Sequence, residues 1–363
     1  MKQMSRLLLF VFAIMFLGKD AMAQDPRFSQ YNASPLILNP AMTGLFNGNY
    51  RVAAIYRSQW RSILGDEATP LFRTFSGSFD MRFPDIGKMH DAFGVGAVFL
   101  TDKAGEAQFG TNQVNLSFSY HKSLSKDANH YITLGIQAGA AQRGLNYNNL
   151  RFGNQFDGEG FNPQLNSGEV IGDSKFMFFD VNAGLMWYYA SKQNKGRFNV
   201  YAGFSMGHLN TPNQSFYQGQ NADLPMKYTG TAGASIPLGK RSNVDMIPTI
   251  MILSQGPAFE MNIGTMAKIF FERNNPQGNA FYFGPYYRIV GRDNVTDKGG
   301  IASEALILAA RLDYERFTLG LSYDLNFSEL TNATNTRGGF EISLAYIGAY
   351  KNKTRASICP RFP

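Results

Sequence analysis

Catalysis or metal binding would have to begin at histidine, cysteine, serine or carboxylate side chains, and here these are sparse and ungrouped. There are four histidines, His90, His121, His130 and His208. No H-x-x-x-H or H-E-x-x-H spacing joins them, so they do not read as a zinc site. His121 and His130 flank one predicted turn and read as turn or interface residues. A hydrolase needs a nucleophile with a base beside it. His208 falls at a predicted strand end, but no G-x-S-x-G elbow accompanies it. Gly153 to Gly172 holds no Gly-Lys-Ser/Thr and opens no helix, so it is not a phosphate cradle. Asp157, Glu159 and Asp173 lack EF-type spacing and read as a solvated loop. Cys359, the single cysteine, cannot form an internal disulfide. A free thiol is its plain reading, with an intermolecular bond or acylation as alternatives. The chain is therefore expected to be no enzyme and to need no metal or cofactor.

The elements that carry these residues begin with an export signal. Lys2 and Arg6 precede the unbroken apolar run Leu7 to Leu17, and Ala21-Met22-Ala23 is a small-x-small cleavage site. This predicts a signal peptide over 1–23 and a mature start near Gln24. Its removal lowers the formal charge of +7 by two. The small excess is spread along the chain, which together with export argues against a nucleic-acid partner. Charged residues are only 17% and aromatics 14%, with 37 glycines, against roughly 25% charged in soluble domains. Mean hydropathy is nevertheless −0.22. No later run approaches the about 18 apolar residues of a membrane helix.

Period-two alternation dominates the rest. Phe317, Leu319, Leu321, Tyr323, Leu325 and Phe327 share one face, and Thr318, Gly320, Ser322, Asp324 and Asn326 the other. Val114, Leu116, Phe118 and Tyr120 alternate with Asn115, Ser117, Ser119 and His121 in the same way. About fourteen such segments occur, near 50–57, 73–82, 92–100, 112–121, 130–141, 176–189, 197–208, 227–236, 244–254, 258–271, 281–290, 304–312, 316–327 and 339–347. The fold class is thus all-β: a transmembrane antiparallel β-barrel of about fourteen strands over 50–347 in a Gram-negative outer membrane. It is closed because hydrocarbon tolerates no open sheet edge.

Connections after even strands are short and polar. Those after odd strands tend to be longer (58–72, 142–175, 209–226, 291–303, 328–338), with 255–257 as a short exception. Short turns lie inside and long loops outside, so both termini are expected in the periplasm. Tyr120, Trp187, Tyr188, Tyr189, Phe270, Phe271 and Tyr346 fall at even-strand ends and suggest an interfacial girdle. A fourteen-strand lumen is too wide for wall side chains to fill. Two segments could plug it: the 142–175 loop, and the N-terminal segment 24–49, where Pro35 and Pro40 bracket Leu36-Ile37-Leu38. A basic tail, 348–363, should hang into the periplasm.

Certain residues add a resemblance. Asp25-Pro26-Arg27-Phe28-Ser29-Gln30-Tyr31, then Pro35-Leu36, Leu38-Asn39-Pro40-Ala41, Gly44 and Tyr56-Arg57-Ser58-Gln59-Trp60-Arg61 are similar to the PorP/SprF family of type IX secretion outer-membrane proteins of Bacteroidota. Gly94-Val95-Gly96 and the ending Cys359-Pro360-Arg361-Phe362 extend the likeness over the mature chain. Pro363 departs from it, since the family usually stops at Phe. The resemblance implies a non-enzymatic role: export and surface anchoring of a cognate cargo with a type IX C-terminal domain. Such cargoes are often adhesins, some of them used in gliding motility. It also implies periplasmic type IX components as partners.

The residues themselves leave choices open. Trp60 could be a girdle ring. Arg57 and Arg61 could bind lipopolysaccharide phosphates or acidic groups of a plug, or fix the N-terminal segment in the lumen with Gln59. Leu36, Asn39 and Pro40 could dock on the wall or on a periplasmic partner. Cys359, Pro360, Arg361 and Phe362 are the better candidates for a periplasmic contact. The alternative to an export barrel is a diffusion porin or solute transporter, which would show an open pore.

Overall fold

The computed structural model describes residues 25–59, 72–86, 90–127, 129–169, 172–191, 197–217, 219–239, 242–272, 278–292, 300–327 and 336–348. The signal peptide expected over 1–23, Trp60, Arg61, Cys359, Pro360, Arg361 and Phe362 lie outside them.

Fourteen strands form. They are β1 Tyr50–Gln59, β2 Phe72–Ile86, β3 Asp91–Ala104, β4 Phe109–Ser123 and β5 His130–Gly144. β6 Lys175–Ala190, β7 Asn199–Gly207, β8 Lys227–Pro237, β9 Val244–Gln255 and β10 Ala258–Phe270 follow. β11 Ala280–Arg292, β12 Gly300–Tyr314, β13 Phe317–Asn326 and β14 Arg337–Gly348 complete the sheet. Each pairs antiparallel with its sequence neighbour, and β1 closes on β14 from Tyr50 opposite Gly348 to Gln59 opposite Gly339. Closure leaves no unpaired edge, as hydrocarbon demands.

Burial runs opposite to that of a water-soluble β-sandwich. The apolar parity is the exposed one: Leu116 is 68% exposed and Ile136 62%. The polar parity is buried, with Ser119, Thr133, Asp180 and Glu341 at 0%. An apolar exterior around a polar interior is the arrangement that lipid selects. No helix among the described residues is long and apolar enough to cross a membrane, and the strands do the crossing.

Strict alternation corrects the aromatic reading. Trp187, Tyr188 and Tyr189 are consecutive in β6, so they cannot all face lipid. Tyr188 points inward, fully buried and stacked on Tyr131 with centroids 4.9 Å apart. Phe270 is likewise buried while Phe271 is exposed. Tyr120 and Tyr346 keep the outward parity. The connection from β3 to β4 is also short, covering only 105–108. Strands β3 and β4 outrun their alternating stretches because Asp102, Lys103 and Thr111 continue the ladder where polarity no longer alternates.

Candidate functional site: the lumen and its N-terminal segment

Residues 25–49 run through the inside of the barrel. Two prolines shape them: Pro35 opens the short helix Pro35–Leu38 and Pro40 the 3-10 turn Pro40–Met42, where a missing N–H costs nothing. Asn39 caps the second turn, its Oδ1 accepting from the Ala41 N–H at 2.9 Å.

The segment can be followed by its wall contacts. Asp25 meets His208 and Lys227, just beyond β7 and at the start of β8, and its N–H donates to Gln255 at the end of β9. Arg27 pairs with Glu260 near the start of β10 at 2.7 Å. Tyr31 donates to Thr249 at 2.9 Å. The Leu36 carbonyl accepts from Gln137 (3.0 Å) and the Leu38 carbonyl from Ser205 (2.8 Å). The Thr43 carbonyl accepts from Ser119 at 2.6 Å, with His121 Nε2 3.0 Å away. Gly44 donates to Asp80 at 2.7 Å, and Asn49 to the Gly348 carbonyl at 2.9 Å.

These contacts descend from the end carrying the long connections 145–174 and 208–226 to the end where β1 starts and β14 stops. Asp25 and Gly348 therefore lie at opposite ends. Strand parity fixes where β1 begins, but not how the chain before it runs. Residues 145–169 of the long loop stay outside, with Arg151, Asn154 and Phe156 exposed.

Two kinds of seat hold the segment. On β3, β5 and β6 the wall removes side chains. A Cβ on Gly94 would overlap the Thr43 carbonyl, one on Gly135 the Pro40–Ala41 backbone, and one on Gly184 the Asn39 side chain. Glycine permits this approach. It lets Asn39 Nδ2 donate to the carbonyls of Leu185 (3.1 Å) and Phe204 (3.3 Å). Leu36 and Pro40 are buried here. Below, Leu38, Ala41, Met42 and Leu45 pack with Tyr131, Met186, Tyr188 and Tyr201.

On β1 and β11–β14 the seat is charge. Buried Arg57 pairs with Glu341 and, at 3.0 Å, with Asp324, and it donates to Ser29 Oγ at 2.6 Å. Arg288 also pairs with Asp324 and, at 2.9 Å, with Glu304. The backbone N–H groups of Ser29 (2.6 Å) and Gln30 (2.8 Å) both donate to Glu341. The Gln59 amide, turned oxygen-inward, accepts from Arg57 Nε at 3.1 Å. Lower down, the charged seat extends to β2, where Asp80 takes Arg51 Nε at 2.9 Å and Arg82 donates to the Gly44 carbonyl at 2.9 Å. Charges mid-strand survive in a membrane only when paired inside. That rule alone singles out Asp80, Asp180, Arg288, Asp324 and Glu341, all on polar faces, which motif reasoning passed over.

At the long-loop mouth, burial would raise the Asp25 carboxyl, but Lys227 (2.6 Å) and His208 (2.8 Å) outweigh it and hold it well below the usual carboxylate range. Burial would lower His208, yet Asp25 and Asp180 raise it to about 9. Between the segment and β1 and β10–β14 remains a cavity of about 120 Å³, lined by Tyr31, Met42, Leu45, Met266, Tyr286 and Arg311 among others. Among the described residues no group of three or more His, Cys, Asp or Glu could hold a metal ion.

Residues 21–346 match the family described as type IX secretion system membrane protein PorP/SprF. No curated protein matches the chain. Among solved structures it is similar to the toluene transporter TbuX of Ralstonia pickettii, at 12% identity over 92% of this chain and 98% of that one, with a TM-score of 0.48. It is also similar to BamA of Haemophilus ducreyi lacking POTRA domains 1–3, at 9% identity over 82% and 70% of the two chains, with a TM-score of 0.42.

Proposed function

The chain belongs to the PorP/SprF family of type IX secretion system membrane proteins, and from that premise we propose that this outer-membrane barrel is non-enzymatic, helps export a cognate secreted protein and holds it at the cell surface. The observation that supports this reading best is the occupied lumen. The chain's own residues 25–49 cross it from mouth to mouth and bond to strands on all sides. A pathway for free solute diffusion needs open water where this segment lies.

In this reading 24–49 is a plug, 50–347 the membrane barrel and 348–363 a periplasmic tail. The cargo is a secreted protein with a type IX C-terminal domain, of the adhesin kind that serves attachment or gliding. It meets the long-loop end. Periplasmic type IX components meet the short-turn end, where Cys359, Pro360, Arg361 and Phe362 are offered. Lipid and lipopolysaccharide cover the apolar exterior. Arg57 and Gln59 fix the plug rather than bind lipopolysaccharide, because Arg57 is already neutralised by Asp324 and Glu341.

Purification from native outer membranes in mild detergent tests this. A large surface protein or a periplasmic type IX component should accompany the barrel. A barrel recovered alone from secretion-competent cells, with a large steady conductance, would favour the solute-transporter reading.

A further inference from the structure

The outer mouth holds a feature that plugging does not require. The second residue of the predicted mature chain is not merely packed there. Its carboxylate sits in a formed receptor on the wall. Lys227 Nζ donates to Asp25 Oδ2 at 2.6 Å, and His208 Nε2 lies 2.8 Å from the same oxygen. His208 is itself oriented from behind by Asp180, 2.8 Å from Nδ1. Gln255 takes the Asp25 backbone N–H at 3.1 Å through Oε1, while its buried Nε2 has no partner. Among the described residues, Lys227 makes its one ion pair with Asp25.

Everything that binds this carboxylate belongs to the barrel, and the carboxylate belongs to the segment that the predicted cleavage leaves at the start of the mature chain. Removing Asp25 leaves a lysine, a held histidine and a spare amide N–H in place, at the mouth bordered by the 208–226 connection. Two charge-assisted donors on one oxygen make a strong and specific carboxylate seat. Asp25 competes for it as a tethered ligand, with an effective concentration set by the chain behind it. The remainder of the segment is anchored separately, by Arg27 on Glu260 and by Ser29 on Asp324 and Glu341. The end can therefore leave without the whole segment leaving.

We propose that His208, Lys227 and Gln255 form an exchangeable carboxylate-binding site at the outer mouth. Asp25 occupies it at rest, and an acidic peptide group arriving from the cell surface takes its place and frees the mature amino terminus. The proposal builds on the export reading in one respect, that the arriving peptide belongs to a surface partner. The site itself needs no cargo to be tested.

The test is labelling of intact cells with a polyethylene-glycol maleimide too large to cross the outer membrane, using full-length Pro26→Cys in a Cys359→Ser background. Asn154→Cys in the long loop and Lys126→Cys in a short turn report sidedness, the first labelling in intact cells and the second only after permeabilisation. Pro26→Cys should label slowly from outside. Adding a C-terminally amidated synthetic peptide of residues 24–28, Gln-Asp-Pro-Arg-Phe, should speed it several-fold, while the amidated peptide with Asn in place of Asp should not. Adding Lys227→Met should speed labelling without peptide and abolish the response to it. Labelling that needs permeabilisation, equal effects of the two peptides, or no effect of either would overturn the proposal. None of these outcomes depends on whether a cargo co-purifies, so the two readings fail separately.

Discussion

The two walls that face the N-terminal segment hold it by different physics. On β3, β5 and β6, Gly94, Gly135 and Gly184 admit the backbone of Asn39–Thr43 into direct contact. On β1, β11, β13 and β14, Arg57, Arg288, Asp324 and Glu341 grip Ser29 and Gln30 through charge and N–H donors. Shape complementarity against backbone does not titrate and is indifferent to salt. Charge at a partly open mouth responds to both. The segment is thus seated by close contact along Asn39–Thr43 and by charge at Ser29, Gln30 and Gly44, with the ion pairs of Asp25 nearest the long-loop mouth. An element that must stay seated yet respond at one end is served by this division.

The comparison breaks most readily at Arg57. Arg57→Met leaves Glu341 without a guanidinium and Asp324 with only Arg288, all of them buried. Removing one partner of a buried pair costs about 3–5 kcal/mol. We expect a large drop in the urea midpoint of the detergent-solubilised protein, together with thermolysin cleavage within 25–35. An unchanged midpoint would remove the charged wall from the account.

Gly184→Ala should act next, by overpacking. Its Cβ would overlap Asn39, at about 1–3 kcal/mol. The expected readout is cleavage at 36–46 with 25–30 still protected, the reverse of Arg57→Met. Identical cleavage patterns for the two variants would mean that the segment moves as one body.

Asn39→Ala removes two donors to wall carbonyls and one cap, and should cost about 1–2 kcal/mol without altering the cleavage pattern. The smallest effect expected is that of pH, confined to the mouth. His208 is raised to about 9, so its contribution to seating Asp25 is complete below its ordinary 6.5 and lost as pH rises through 9. Asp25 is lowered, so its contribution holds above the ordinary 3.8 and is lost as pH falls through its depressed value. Relative to the base-catalysed intrinsic rates, hydrogen-exchange protection of the Asp25 and Arg27 amides should fall above pH 9 while that of Ala41 to Thr43 does not. A fall at both places would erase the distinction between the walls.

The strands were legible because alternation is a local property, written between residues two apart and fixed by the lipid outside. All fourteen lie where the periodicity puts them. Their ends were less legible, as at Asp102–Ala104, because beyond the bilayer the outward face is no longer held to apolar residues. The seats were hardly legible. Arg57 and Glu341 face each other through barrel closure alone, 284 positions apart. Nothing near Gly135 announces that Ala41 will lie against it. Arg57, Asn39 and Pro40 could be marked as notable, but their partners depend on the path of 25–49 inside a closed wall. Tyr188, chosen for the lipid girdle, was legible by parity alone: it lies opposite Tyr131 on the inward face and stacks on it.

The central claim is that residues 25–49 close the lumen, and single-channel recording in planar bilayers tests it most directly. The full mature chain should give no large steady ohmic conductance, whereas the same chain lacking residues 25–45 should give one. Paired cysteines at Ser34 and Ser76, whose Oγ atoms lie 3.3 Å apart, should keep the oxidised full chain closed in a Cys359→Ser background. A large steady conductance in the intact chain, or no gain on deletion in a barrel that still folds, would contradict the account.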